Sequence, residues 1–373
     1  MSTATLEAID WTETATQLGK KFAARAAEHD ADNAFVAQNY TEMKDAHLFS
    51  AVIPSELGGG GASYSETCSI TRTLAQYCGS TALAYAMHCH PVALNVFKYK
   101  RGDEKATASL KKIAGGELII AGTGANDWLN SSGSAEAVDG GFRINARKHF
   151  VSGSPGAQVL VTSAVVTGQQ STEVIHFAIP MASEGISHHD NWNTIGMRAT
   201  GSNDISLENV LVPDAAVVLR RPAGWHPAFN AILPTAMPLI MSAYLGLADA
   251  ALIQAREAAG KMPKHLAVPL GELINQHTAA TLAVDDMIQR NNNHGFSPDD
   301  ENTSAILSRK TLATEAIKQS VELATEIVGG AAFFKGHPLE RITRDVRASH
   351  FHPLPHRRQT SFSGRVAMAQ PPY

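Results

Sequence analysis

"INARKHFVSGSPGAQVLV", residues 144–161, holds two short apolar, β-branched runs separated by the turn sequence SGSPG. Runs of this length, bounded by Gly, Pro, Asn or Ser, form strands rather than helices. The pattern continues in both directions with ELIIA (117–121), FRINA (142–146), QVLVTSAVV (158–166), EVIHFAIP (173–180) and DISLENVLV (204–212). Nothing of crossover-helix length separates these runs. The middle of the chain is therefore expected to be an antiparallel or barrel-like β domain, not a doubly wound sheet.

Helical spacing of apolar residues flanks it on both sides. TATQLGKKFAARAAEHDA (14–31) and TEMKDAHLFSAV (41–52) lie before it; LIMSAYLGLADAALIQAREAA, TAATLAVDDMIQR and SAILSRKTLATEAIKQSVELATEIV follow, with NNNHGFSPDDENTS (291–304) expected as a polar inter-helix loop. The spacing predicts a helical region over 1–115, a β region over 116–221 and a second helical region over 222–373.

Composition narrows the function. With 44% hydrophobic and 18% charged residues and a net charge of -4, the 373-residue chain has ample core and no basic excess to hold a phosphate backbone, so nucleic acid is not expected. Cys68, Cys78 and Cys89 are odd in number and lack CxxC spacing, which argues against a disulfide framework or zinc site and for a reducing compartment. MSTATLEAIDW has no basic n-region followed by an apolar one, so no secretory signal is expected and the cytoplasm is the default location. The apolar stretch from Ala228 to Leu252 is interrupted by Asn230, Pro234, Pro238 and Asp249, and suits a buried helix better than a membrane span.

Simple catalytic templates are absent. There is no GxSxG or HExxH, GTGAND (122–127) lacks the third glycine of a dinucleotide loop, and GGGGASYSE (58–66) lacks the Lys-Ser/Thr of a P-loop and reads as a turn. In MHCHP (87–91), neighbouring side chains on a helix point about 100° apart, so His88, Cys89 and His90 cannot share one metal ion; core or pocket-lining histidines are expected, and no metal.

Four segments in order carry a stronger signal. INARKHFVSGSPGAQVLV (144–161), NWNTIGMRATGSNDISLENVLVPD (191–214), AYLGLADAALIQAREAAG (243–260) and EIVGGAAFFKGHPLERITRDVRA (326–348) resemble the acyl-CoA dehydrogenase superfamily, and VIPSELGGGGASYSE (52–66) resembles one of its N-terminal loops. The resemblance spans nearly the whole chain. It implies an α+β multidomain fold: an N-terminal helical domain, a middle β-barrel domain and a C-terminal four-helix bundle, assembled as a homotetramer around flavin. It places Phe150, Val151 and Ser152 on the flavin ring and Gly329 and Gly330 against the flavin of a partner subunit. A core aromatic and a helix-capping turn are the plain alternatives for Phe150 and the two glycines.

The departures from that family are as informative. Its dehydrogenases place the α-proton-abstracting glutamate eight residues after the RD aspartate, here Asp345, and that position is Pro353. Proline supplies no base. The alternative site on the first C-terminal-domain helix falls near Ala236, and the arginine motif that grips a partner's flavin pyrophosphate falls near Met262, with Lys261 and Lys264 as substitute charges. Glu326 stands where the family has glutamine, and IIAGTGANDWLNSSGS (119–134) is a shortened flavin loop in which Thr123, Asn126 and Asp127 are candidate cofactor contacts.

These losses resemble the family's monooxygenase branch, which takes reduced flavin (FAD or FMN) as a co-substrate from a separate reductase and has a histidine seven residues after the RD aspartate. That residue is His352. His352 and Ser152 are the candidate catalytic residues, for a small organic substrate; a histidine suits the proton transfers involved. His352 could equally satisfy carbonyls at a helix end. An acyl-CoA dehydrogenase with a displaced base and a non-catalytic relative are the competing readings. Arg198 is expected in an ion pair within the β domain, Arg357 and Arg358 on a solvated face.

Overall fold

The computed structural model describes residues 9–124, 127, 129–168 and 172–372. Helices begin where the sequence supplies caps. In the N-terminal domain, α1 (Trp11–Ala31) starts at Asp10 and α2 (Ala37–Asp45) follows; α3 (Tyr64–Tyr77) opens with a capping box between Ser63 and Glu66; α4 (Gly79–Tyr99) is nearly all buried; and α5 (Glu104–Gly116) starts at Asp103. The glycine run before α3 does turn. Gly58 has φ +88°, and Gly60 lies so close against the Trp11 ring that a side chain there has no room.

The middle domain comprises β1 (Ile120–Gly122), β2 (Ser134–Val138), β3 (Gly141–Val151), β4 (Val159–Val166), β5 (Glu173–Pro180), β6 (Ile186–His188), β7 (Asn203–Pro213) and β8 (Val217–Pro222). They form one eight-stranded sheet in the order β6-β7-β3-β2-β4-β5-β8, with β1 added alongside β4. Pairing is antiparallel except for β1–β4 and β2–β4, and no pairing joins β6 to β8 among the described residues. The register of β3 against β7 slips between Lys148 and Val151, which turns the end of β3 out of the ladder. β2, β6 and β8 were not expected: SAEAV, ISH and VVLRRP are too short or too charged to read as strands.

Three long helices carry the C-terminal domain: α6 (Phe229–Lys261), α7 (Pro263–Asn291) and α8 (Asp300–Val328). The short α9 (Pro338–Asp345) and α10 (His356–Ala367) complete it, α10 docking on α8 through Gln359, which accepts the Thr311 hydroxyl at 2.9 Å and donates to the Ser308 hydroxyl at 3.3 Å. α6 is long and apolar enough to cross a membrane by composition, yet 83% of its most apolar window is buried inside the protein. The 291–304 loop is no solvated linker. Asn291, His294 and Phe296 are buried, and Arg101 of the N-terminal domain donates to the carbonyls of His294 and Phe296 while stacking on Phe97.

Charged seams join the domains. Arg72 on α3 pairs bidentately with Asp249 on α6 at 2.6 and 2.8 Å. Arg198 donates to the carbonyls of Asp30 and Ala31 at the end of α1 and of Thr194 in the β domain, and its carboxylate partner, Asp30 at 4.0 Å, lies in the N-terminal domain and not within the β domain as expected. At the end of α9, Arg344 holds Asp30, its own Glu340 and the Ile195 carbonyl, while Asp345 accepts the Met197 amide at 2.5 Å. One residue pair thus ties all three domains. Arg344→Ala leaves Asp30 and Glu340 without their shared cation and should destabilise the fold by about 2–4 kcal/mol. Arg344→Lys, which lacks the planar fork, should recover less than half of that. Thermal unfolding of the two variants checks this, and an alanine variant as stable as the parent would show the clasp to be idle.

Candidate active site

After α9 the chain makes a 3-10 turn over 346–351 and delivers His352 in extended backbone, φ -67° and ψ 146°. Pro353 favours that conformation, because its ring excludes the helical region for the residue before it. The turn packs on α8 and α6, and the His352 Nε2 lies 2.8 Å from the Tyr244 hydroxyl on α6, a hydrogen bond whose direction follows the imidazole tautomer. Burial, then the positive charges of Lys310 and His90, hold the His352 imidazole down to about 3. Burial, then Asp345, raises the Tyr244 phenol well above its ordinary value. Both groups are neutral at neutral pH.

His90, on α4, is held down to about 4 by burial and then by His88. The MHCHP histidines therefore divide. His88 is structural, its Nε2 against the Phe49 carbonyl at 2.7 Å and its Nδ1 accepting the Ile120 amide at 3.0 Å, whereas His90 is close enough to His352 to oppose its protonation. Lys310, on α8, is 2% exposed. Burial lowers its ammonium to about 8, against the opposing pull of Glu315. One turn on, Thr314 is also buried and its hydroxyl has no hydrogen-bond partner. Among the described residues no carboxylate shifts the His352 imidazole. The one buried at its side of α9, Asp345, is raised to about 7 by burial and spends an oxygen on Met197.

The β domain carries the other candidate residues. Phe150 is 46% exposed and lies 5.2 Å, centroid to centroid, from Trp192. Val151 is fully buried in the strand between Phe150 and Ser152. The Ser152 hydroxyl is 2.8 Å from Ser202, which is 2.7 Å from Thr200, which donates to the Met197 carbonyl at 2.9 Å. Ser152 is thus positioned by a chain of hydroxyls that ends on the residue Asp345 holds. It does not bond His352.

Two of the candidate cofactor contacts are engaged inside the β domain. The Asp127 carboxylate faces inward to Lys148 at 2.9 and 3.0 Å and accepts the Thr123 hydroxyl at 2.9 Å, so both side chains are spent on a buried ion pair. Burial alone would raise Asp127, but Lys148 and Ser132 hold it below the usual carboxylate range. Asn126 lies outside the described residues. Glu326, Gly329 and Gly330 are exposed, and the two glycines have open space where a side chain would be. Beside them Phe333 and Phe334 are 89% and 71% exposed. A cleft of about 860 Å³ runs from Thr194 and Ile195 to Lys335, His337 and Arg341, and its charged lining comprises Arg198, Lys335, Arg341 and Arg344 against Asp30 and Glu340.

Three successive stretches match known family domains: residues 7–117 the acyl-CoA dehydrogenase N-terminal domain, 121–210 the middle domain and 239–355 the C-terminal domain. The chain belongs to the acyl-CoA dehydrogenase superfamily. It is 27% identical over 356 residues to the amino sugar nitrososynthase RubN8 of Streptomyces rubradiris, covering 88% of this chain and 82% of that one. It is 29% identical over 370 residues to the putative acyl-CoA dehydrogenase YdbM of Bacillus subtilis, covering 92% of each. The structure of the dibenzothiophene monooxygenase TdsC from Paenibacillus sp. A11-2 superposes with a TM-score of 0.85 at 19% identity over 97% of both chains, and that protein has been solved with FMN and indole.

Sequence reasoning reached His352, Ser152 and Phe150 but missed Tyr244, Lys310, Thr314 and Trp192. Lys310 had a signal. It stands on the buried stripe Ile306, Leu307, Lys310, Ala313, Thr314 and Ile317, where helical spacing puts apolar residues.

Five imidazoles, His88, His176 and His294 buried and His90 and His352 half-buried, are held well below 6.5: His88 and His90 at about 4, and His176, His294 and His352 at about 3. The unfolded chain therefore binds more protons than the folded one below pH 6.5, and stability is lost as pH falls toward 4. Asp345, raised to about 7, opposes this with a single site. Melting temperature should fall steeply between pH 6.5 and pH 4.5; an unchanged melting point across that window would contradict the neutral imidazoles.

Proposed function

We propose that this enzyme is a monooxygenase that takes reduced flavin as a co-substrate and oxidises a small organic molecule in the space bounded by His352, Tyr244, His90 and the Phe150–Trp192 wall. The observation that carries the reading is the absence of a carboxylate acting on His352, together with Pro353 where a dehydrogenase base would stand. Removal of an α-proton from a thioester needs a base in reach of the substrate, and the groups found there are imidazoles, a phenol and an ammonium. The named activities of RubN8 and TdsC support the same reading.

The residues fit a flavin. Phe150 and Trp192 offer partly exposed aromatic faces for a planar ring, and Ser152, steadied by Ser202, has a hydroxyl at the strand end beside them. Lys335 and Arg341 line the adjoining cleft and suit the phosphate of FMN or the pyrophosphate of FAD. Reduced flavin supplies the two electrons with which O2 gives one atom to the substrate and the other to water. His352, neutral and hydrogen-bonded through Nε2, takes up a proton on the pocket side, while Tyr244 fixes the plane of the ring. The apolar surroundings limit water.

The oligomer, partner and location follow as part of the same proposal. Val268, Leu282 and Leu312 are 73%, 66% and 65% exposed, and Phe333, Phe334 and Phe351 add a second apolar surface. Such surfaces favour a homotetramer. A separate reductase supplies the reduced flavin. Three buried free thiols suit the cytoplasm.

Purified protein given chemically reduced FMN, ¹⁸O2 and a substrate library should yield products carrying one ¹⁸O atom. Octanoyl-CoA added anaerobically to the FMN- or FAD-loaded protein should leave the flavin oxidised. Bleaching by the thioester would establish a dehydrogenase instead. His352→Ala should slow turnover by about 10²-fold while leaving flavin affinity unchanged.

A further inference from the structure

Two lysines are buried in this protein, and they differ in one respect. Lys148 is fully buried and has four oxygen partners: both Asp127 oxygens and the carbonyls of Ser132 and Ser163, at 2.6–3.0 Å. Lys310, at 2% exposure, makes no hydrogen bond or ion pair with any described residue. A buried ammonium without a partner is costly, and proteins avoid it by deprotonation or by pairing. The carboxylate that acts on Lys310, Glu315, is half-exposed and engaged by Lys318 at 3.3 Å and His350 at 3.7 Å. The other titratable groups facing Lys310 are His350 and His352 from the segment after α9. His90 on α4 and Tyr244 on α6 join it around His352. None of them carries a negative charge at neutral pH.

Thr314 is the second, independent observation. It lies one helical turn from Lys310, on the same face of α8, and its buried hydroxyl is likewise unpartnered. Two adjacent polar side chains on the buried face of α8, neither hydrogen-bonded to any described residue, mark a place where a polar group from outside the chain completes the structure. Around them, Leu307, Ala313 and Ile317 of α8 and Met241 and Leu245 of α6 belong to one apolar cluster.

We propose that Lys310 and Thr314 form the head-group subsite of the substrate pocket, and that the substrate is a small organic acid with one oxyanion on an apolar body. The oxyanion pairs with the Lys310 ammonium and accepts the Thr314 hydroxyl; the apolar body lies toward His352. The same contact acts on catalysis. Lys310 is, of the groups that act on His352, the one charged at neutral pH, so an anion that neutralises Lys310 makes His352 a better base only when substrate is present. The proposal rests on the monooxygenase reading for the placing of substrate beside His352, but not for the anion itself.

The test is calorimetric titration of the full chain, with and without FMN, using benzoate, phenylacetate and benzenesulfinate against the neutral analogues benzamide and benzyl alcohol. The anions should bind the parent protein better than their neutral analogues and lose about 10²-fold in Lys310→Met, with the neutral analogues changed less than about twofold. Thr314→Val should weaken the anions by a smaller factor. Lys310→Met should melt no lower than the parent, because an apolar residue replaces an unpaired buried charge, so lost binding cannot be assigned to lost folding. Since the ammonium is the form present below about pH 8, anion affinity of the parent should fall as pH rises through 8, and that of Lys310→Arg should not. Equal binding of anions and neutral analogues by the parent overturns the proposal, as does undiminished anion binding by Lys310→Met. Anion binding that passes both tests in a protein inert toward reduced FMN and O2 leaves the subsite standing and removes the monooxygenase reading alone.

Discussion

Asp345 is 1% exposed, and its carboxylate is aimed at the backbone amide of Met197. Met197 has φ +53°, a left-handed conformation that costs a non-glycine residue about 1 kcal/mol or more, and its carbonyl accepts from both Thr200 and Trp192. Arg344, the preceding residue, reaches α1 through Asp30 and the β domain through the Ile195 carbonyl. Much else follows from this junction. It fixes the turn that presents His352 seven residues later, anchors the hydroxyl chain that ends at Ser152, and sets Trp192 beside Phe150. The segment that bears His352 and the strand end that bears Ser152, from domains far apart in sequence, thereby take their positions from one acidic side chain.

The electrostatics of the pocket are set by desolvation more than by pairing. Three imidazoles, His88, His90 and His352, are neutral because burial desolvates them, and the Lys310 ammonium reinforces that at His352. A site of this kind attracts electron-rich or anionic matter and has no group to accept a carbon-bound proton at neutral pH unless something alters the balance. The buried pair of Asp127 and Lys148 shows what the same chain does when it means to keep a charge inside: it surrounds the ammonium with oxygens.

The three-part division and the superfamily were legible because alternation, helical spacing and ordered motifs are local properties of the chain. The strands β2, β6 and β8 were not, since their pairing partners, not their composition, make them strands. The 291–304 loop looked solvated by its Asn, Asp and Ser content, yet Arg101, nearly two hundred residues away, holds it down. His352 could be counted from Asp345, whereas Tyr244 and Lys310 come to it from other helices and are visible only once α6 and α8 are packed. Thr123 and Asp127 were read as ligand-facing from a motif's position. Lys148, three residues before Val151, turned both inward.

Pro353 does more than remove a carboxylate. By confining the residue before it to extended backbone it keeps His352 out of a continued helix and points the imidazole across to Tyr244. Restoring a glutamate at 353 would therefore free the very backbone on which the histidine depends. The two chemistries compete for adjacent positions of one segment, so evolutionary passage between them is a fork, with each branch closing the other behind it.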